Sequence, residues 1–225
     1  MRYHANIMAS ASKSVPPRPQ PRLMLVTPPL DGAADALART LAEAMAAADI
    51  AAVILSLGDG SERDQINRVK IVAKPVQAGG AALLITGHPA LVPHAGADGA
   101  HITKADQLAD ALGLLKPDRI VGAGGLSTRH DAMSVAEAGA DYVMFGEPDT
   151  DGRRPAREAM LERVAWWADV FEAPCVGYAG SADDIAPLVA AGADFIALDP
   201  AIWVAAPGPA LQAATAGLVI AEPAS

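Results

Sequence analysis

Three short stretches combine small, hydroxylic and charged residues in the way an anion site requires. They are Gly124-Gly125-Leu126-Ser127-Thr128-Arg129-His130, Gly146-Glu147-Pro148-Asp149-Thr150-Asp151-Gly152-Arg153-Arg154, and Gly180-Ser181. Glycine lets a ligand approach the backbone closely, and where such a loop runs into a helix the free N–H groups and the helix dipole converge on negative charge. Gly124-Gly125 with Ser127, and Gly180 with Ser181, are the best places for this, although Ser127 and Ser181 read equally well as plain helix N-caps. Arg153 and Arg154 supply the paired basic residues in these loops. Proton transfer at neutral pH calls for a group titrating near about 6.5, which singles out His88, His101 and His130. The lone cysteine, Cys175, lies in the apolar run Pro174-Cys175-Val176-Gly177 and reads as a buried, inert thiol.

The elements that must position these loops are visible as a repeating pattern. Short apolar runs at 23–27, 52–57, 82–86, 100–103, 119–123, 142–146, 175–179 and 195–199 are continuous, as expected of parallel strands covered on both faces. Between them, Ala- and Leu-rich stretches of helical period predict helices at 33–48, 61–77, 104–115, 131–137, 155–171 and 182–190, with room for only a short helix between the third and fourth strands. Strand and helix alternate throughout, which implies right-handed crossovers, and eight strands close a barrel. The expected fold is therefore a single (β/α)8 TIM barrel of parallel strands. Within 161–168 apolar residues recur at helical spacing, so Trp166 or Trp167 packs a helix onto the sheet. The phrase Gly-Ala-Asp recurs at Gly96, Gly139 and Gly192, each time ending a helix before a strand. Asp98, Asp141 and Asp194 then belong to the face opposite the active site and read as structural.

Composition sets the outer limits. The chain has 225 residues, 52% of them hydrophobic and 4% aromatic, a little short of the ~250 typical of such a barrel. The stretch 1–22, with Pro16-Pro17-Arg18-Pro19-Gln20-Pro21, reads as a flexible leader, 23–217 as the barrel and 218–225 as a C-terminal tail. Seventeen basic against 26 acidic residues give a net charge of −9, which excludes a phosphodiester backbone as partner. No apolar run reaches the ~18 residues of a spanning helix and no secretory signal is apparent, so the expectation is a cytoplasmic protein with no membrane partner.

The order of these phrases resembles the thiamine-phosphate synthase family and its relative, the thiazole tautomerase. Leu25-Val26-Thr27 is similar to the end of that family's first strand. The stretch Gly96-Ala97-Asp98-Gly99-Ala100-His101-Ile102-Thr103-Lys104-Ala105-Asp106 resembles its Ala-Asp-Gly-Val-His-Leu-Gly-Gln-Glu-Asp signature. Gly125-Leu126-Ser127-Thr128 is similar to Gly-Val-Ser-Thr, and Gly139-Ala140-Asp141-Tyr142-Val143-Met144-Phe145-Gly146 to Gly-Ala-Asp-Tyr-Val-x-Phe-Gly. The resemblance implies a transferase that joins a pyrimidine methyl pyrophosphate to a thiazole phosphate with Mg²⁺, releasing pyrophosphate. The leaving group departs to give a pyrimidine carbocation that the thiazole nitrogen captures. Such a reaction needs positive charge and N–H donors on the pyrophosphate, and carboxylates on the metal.

Carried over by resemblance, Asp106 takes the place of a metal ligand and Ser127 that of a serine near the pyrophosphate. Thr150, Arg153 and Arg154 take the place of the Thr and Lys after the sixth strand, and Gly180, followed by Ser181, takes that of a glycine in the phosphate turn. The departures are equally specific. Where the family has Gln-Leu-Arg-x-Lys, this chain has Ser56-Leu57-Gly58-Asp59-Gly60; the second metal-binding Asp is Gly87; and Asp199 brings a carboxylate to the final loop. Lys104, Arg129 and the Arg153-Arg154 pair are the candidate replacement cations. Phosphorylated small molecules are the expected ligands, and a homo-oligomer stays open. Two alternatives stand beside the synthase. One is a tautomerase-like isomerase using His130 as base, next to the family's histidine position at Arg129. The other is a non-catalytic barrel that binds a small molecule without the pyrophosphate clamp.

Overall fold

Each apolar run forms a parallel strand: β1 (Arg22–Val26), β2 (Ile50–Leu55), β3 (Ala82–Thr86), β4 (Gly99–Ile102), β5 (Ile120–Ala123), β6 (Tyr142–Phe145), β7 (Cys175–Ala179) and β8 (Phe195–Leu198). They pair in chain order, and β8 closes on β1 with Arg22 opposite Phe195. The computed structural model describes residues 19–149 and 151–219. Outside the barrel run α1 (Ala34–Ala47), α2 (Glu62–Ala78), α3 (Leu91–Ala95), α4 (Ala105–Leu115), α5 (Arg129–Glu137), α6 (Arg157–Val170) and α7 (Ile185–Ala190), the last entered through a 3₁₀ turn at Ala182–Asp184. This is the (β/α)8 TIM barrel that the alternating pattern predicts.

Side chains alternate along each strand, so the barrel has two cores. Leu23, Leu25, Val53, Leu55, Leu83 and Ile85 face the helices, whereas Met24, Ile54, Leu84, Tyr142, Met144 and Tyr178 fill the interior. On β4, Ala100 and Ile102 pack outward, which turns His101 inward. Trp167 packs α6 onto the sheet as expected. It is buried, stacks on Phe171 at 4.1 Å, meets Phe145 of β6 edge-on at 5.9 Å and donates its indole N–H to the Ala173 carbonyl at 2.7 Å.

Two helices beyond the eighth strand go unread in the sequence, α8 (Pro200–Trp203) and α9 (Pro207–Ala216). Their prolines look like breakers but occupy the first helical turn, where the missing N–H costs nothing. Trp203 of α8 is buried and donates to the Val26 carbonyl at 3.1 Å, tying the chain's end to β1. The described structure runs past the expected limits of the barrel at both ends. Arg22, assigned by sequence to the leader, opens β1 and pairs with Asp49 at 2.7 Å, and Leu218, assigned to the tail, is buried. The rest of the leader through 18, and the tail from 220, lie outside the described residues. Among the described residues, no helix is long and apolar enough to cross a membrane.

The three Gly-Ala-Asp phrases form one repeated device. Gly96, Gly139 and Gly192 have φ of 71°, 104° and 91°, conformations that end a helix without a Cβ penalty. Each following aspartate accepts the first N–H groups of a strand alongside: Asp98 from Leu83 at 2.8 Å, Asp141 from Val121 at 2.7 Å and Asp194 from Cys175 at 2.8 Å. Removing one such acceptor leaves a half-buried N–H unpaired. Asp194→Ala is expected to lower stability by about 1–3 kcal/mol, measured by urea unfolding, while ligand binding at the opposite face stays unchanged. A variant as stable as the parent would refute the structural role.

Candidate functional site

The strand register places His101 on β4 opposite Gly122 on β5, and Gly122 opposite Tyr142 on β6. A side chain at Gly122 would collide with the Tyr142 ring, so its absence lets that ring lie across β5 and stack on His101, 5.7 Å between centroids and 8° between planes. Two residues on, a side chain at Gly124 would collide with the Glu147 carboxylate and crowd His101 Nε2. The two glycines make a floor for a chain of three side chains. Tyr142 Oη lies 2.8 Å from His101 Nδ1, His101 Nε2 lies 2.8 Å from Glu147 Oε1, and Glu147 Oε2 accepts the Gly125 N–H at 2.9 Å.

The tautomer follows from these partners. A carboxylate only accepts, so His101 Nε2 carries a proton, and Nδ1 accepts from the Tyr142 hydroxyl. Burial, reinforced by the nearby negative charge of Glu147, holds that hydroxyl protonated well beyond the ordinary tyrosine range. His101 is 1% exposed and Glu147 13%, so only the carboxylate end of the chain meets solvent. A second pair stands on the neighbouring strands. Tyr178 donates to Asp199 Oδ2 at 2.5 Å while Asp199 Oδ1 caps α8 through the Ala201 N–H at 2.8 Å. Burial, then the bond to Asp199, pushes the Tyr178 hydroxyl far up.

A cavity of about 360 Å³ opens above this floor, lined among others by Gly125, Ser127, Glu147, Arg153, Arg154 and Arg163. Its three arginines are not equivalent. Arg153 is 76% exposed and pairs with Asp149 and Asp151. Arg163 donates to the Leu126 carbonyl at 3.2 Å and holds that loop. Arg154 is 33% exposed and makes only long contacts, 3.4 Å to the Gly146 and Tyr178 carbonyls and 3.5 Å to Asp184, with its guanidinium over the Tyr178 ring.

Both glycine turns singled out in the sequence already hold an anion, but it is the chain's own. Glu147 sits on the Gly125 N–H, and Asp184 Oδ2 accepts from Gly180 and Ser181 at 3.0 and 3.1 Å. Ser181 caps the 3₁₀ turn, whereas the cap of α5 is Thr128, paired with Asp131, and not Ser127, which is exposed at the cavity. Arg129 turns away to Glu162 at 2.7 Å and to the face of Trp166. His130 is exposed on α5 and does not line the cavity; His88 is exposed in the loop after β3. Lys104 precedes α4 and is exposed. Thr150 lies outside the described residues. Glu147, the residue on which the floor converges, goes unrecognised in the sequence; the signal for it is the Gly-x-Gly spacing on β5 beside an inward histidine.

Comparison with known proteins agrees with this architecture. A family model described as thiamine monophosphate synthase matches residues 23–202. The chain belongs to the thiamine monophosphate synthase family. It is 38% identical to the thiamine-phosphate synthase of Rhodospirillum centenum over 196 residues, covering 86% of this chain and 94% of that one. It is equally similar, 38% over 204 residues, to that of Hyphomonas neptunium, covering 86% and 91%. Among solved structures, thiamine phosphate pyrophosphorylase from Pyrococcus furiosus superposes with a TM-score of 0.72 at 18% identity, covering 88% of this chain and 96% of that one, which bears on fold alone.

The β1–β2 side of the mouth is filled by the chain's own side chains. The space beside Gly58 is taken by the Asp31 carboxyl and that beside Gly60 by the Arg68 guanidinium. Arg68 comes from α2 and donates to the Leu30 and Asp59 carbonyls, at 3.3 and 2.9 Å. Among the described residues no resident Mg²⁺ site is assembled. Asp106 is an exposed carboxylate in the first turn of α4, Gly87 has open space where a side chain would stand, and among the described residues no group of three His, Cys, Asp or Glu gathers to hold a metal.

Two outcomes test this geometry. In Glu147→Gln the amide oxygen keeps the Gly125 N–H, its NH₂ faces His101, and the ring switches to the Nδ1–H tautomer, read from imidazole ¹⁵N shifts; an unchanged ring would refute the chain of bonds. Because the buried hydroxyls ionise later in the folded state than in the unfolded one, their stabilisation is intact below about pH 10 and lost above it. Thermal unfolding of the parent should therefore fall more steeply above that pH than in Tyr142→Phe/Tyr178→Phe.

Proposed function

We propose that this barrel catalyses thiamine-phosphate synthase-type transfer, joining a pyrimidine methyl pyrophosphate to a thiazole phosphate with release of pyrophosphate. The observation that carries the reading is Arg154, loosely held over the phosphate turn of a cavity in a chain of this family. Its guanidinium would exchange long bonds to Asp184 and to the Gly146 and Tyr178 carbonyls for a phosphate taken bidentately, and the exposed Ser127 hydroxyl lines the same cavity. Lys104 adds exposed positive charge at the start of α4. Mg²⁺ enters as part of the substrate, chelated by its pyrophosphate, with Asp106 as one carboxylate available to it.

A specific observation favours a second reading. The N–H groups of Gly125, Gly180 and Ser181 are all taken by the chain's own carboxylates, as in a barrel that binds a small molecule without turning it over. The isomerase reading has less support, because His130 stands outside the cavity.

Purified protein mixed with both phosphorylated precursors and Mg²⁺ is expected to yield thiamine phosphate and one equivalent of pyrophosphate. Precursor binding without product would favour the silent barrel and overturn the transferase. Arg154→Ala is expected to weaken phosphate-dependent binding by roughly 10- to 150-fold, the equivalent of one charged hydrogen bond. Asp106→Asn should raise KM for the pyrophosphate substrate alone. If neither substitution changes the kinetics, the site lies elsewhere.

A further inference from the structure

The transfer chemistry described above moves no proton, so it does not need the Tyr142–His101–Glu147 chain as a proton relay. Each of its bonds serves to fix one carboxylate. Glu147 Oε1 is held by an imidazole N–H at 2.8 Å and Oε2 by a backbone N–H at 2.9 Å. Among the described residues no arginine or lysine pairs with Glu147, and its side-chain partner His101 is neutral in that tautomer. The cavity thus presents a fixed negative charge at its floor and a loosely held guanidinium, Arg154, on its wall. Such a pairing suits a phosphate ester whose ring is itself a cation.

We propose that Glu147 is a catalytic residue that stabilises positive charge on the ligand's heteroaromatic ring, with His101 and Tyr142 as positioning residues, so that the cavity selects a phosphorylated heteroaromatic cation. The inference rests on the transferase reading for its chemistry. In that reaction the bond from the pyrimidine methylene to the pyrophosphate oxygen breaks, its electron pair leaves with pyrophosphate, and the thiazole nitrogen lone pair forms the new C–N bond. Positive charge passes from the pyrimidine methylene to the thiazolium product. A carboxylate preorganised by fixed donors lowers the energy of that charge without changing its own protonation. Gly122 and Gly124 are part of the device, since a side chain at either would displace Tyr142 or Glu147.

The test compares thiamine phosphate, a thiazolium cation, with its uncharged thiophene isostere, by calorimetric titration of the full chain at one ionic strength. The parent is expected to prefer the cation by about tenfold or more, and Glu147→Gln to erase the preference while binding the isostere as before. His101→Asn, which frees the carboxylate without removing it, should reduce the preference part-way. Glu147→Gln should also lower kcat more than KM in the coupling assay. A preference that persists in Glu147→Gln, or a parent that shows none or binds neither compound, would overturn the proposal. Charge preference without coupling activity would sustain the cation site and overturn the transferase reading. Should Glu147→Gln fold poorly, Glu147→Asp, which withdraws the charge from the cavity, is expected to lose the same preference.

Discussion

An imidazole buried inside a barrel of aliphatic side chains must have both ring nitrogens satisfied, and much of the mouth follows from that requirement at His101. Its neighbours on β5 have no side chains, because Gly122 must admit the Tyr142 ring and Gly124 the Glu147 carboxylate. The loop after β6 must in turn bring Glu147 back over β5, where the Gly125 N–H completes its shell. Five residues on three consecutive strands and their loops are thereby bound into one decision. An unmatched change at any of them leaves a buried polar group unpaired or two groups in collision.

The same logic explains where an acidic chain places some of its carboxylates. Backbone N–H groups at strand ends attract negative charge whatever its source. Here Glu147 and Asp184 supply it from within, and Arg157 joins Arg154 in neutralising Asp184. The net charge of −9 is thus distributed in part onto groups that the fold itself uses as acceptors. The aspartates of the three Gly-Ala-Asp turns do the same on the opposite face.

The strands were legible because parallel strands covered on both faces need unbroken apolar runs, and β3 and β7 coincide with their runs at both ends. The structural aspartates were legible because a glycine that must turn left-handed recurs before each of them. The terminal helices were not, since a proline in a first helical turn and a proline that breaks a helix look alike in sequence, and only α8 has a side-chain cap, Asp199, before its proline. Arg153 and Arg154 look equivalent in one dimension. Only the fold turns one toward Asp149 and Asp151 and the other toward the barrel. Glu147 was hidden for a related reason, because its importance lies in what Gly122 and Gly124 lack.

The lacing of the first two loops carries a mechanical consequence. Leu30 forms a parallel bridge with Leu57, Thr27 Oγ1 accepts the Ser56 N–H, and Arg68 fastens both loops through their carbonyls. This half of the rim is an extension of the sheet and resists moving as a flap. Among the described residues, the loops after β5 and β6, which border the cavity, form no such bridge to each other. The half of the rim above β1 and β2 is thus the fixed support, and movement at the mouth falls to the half that borders the cavity.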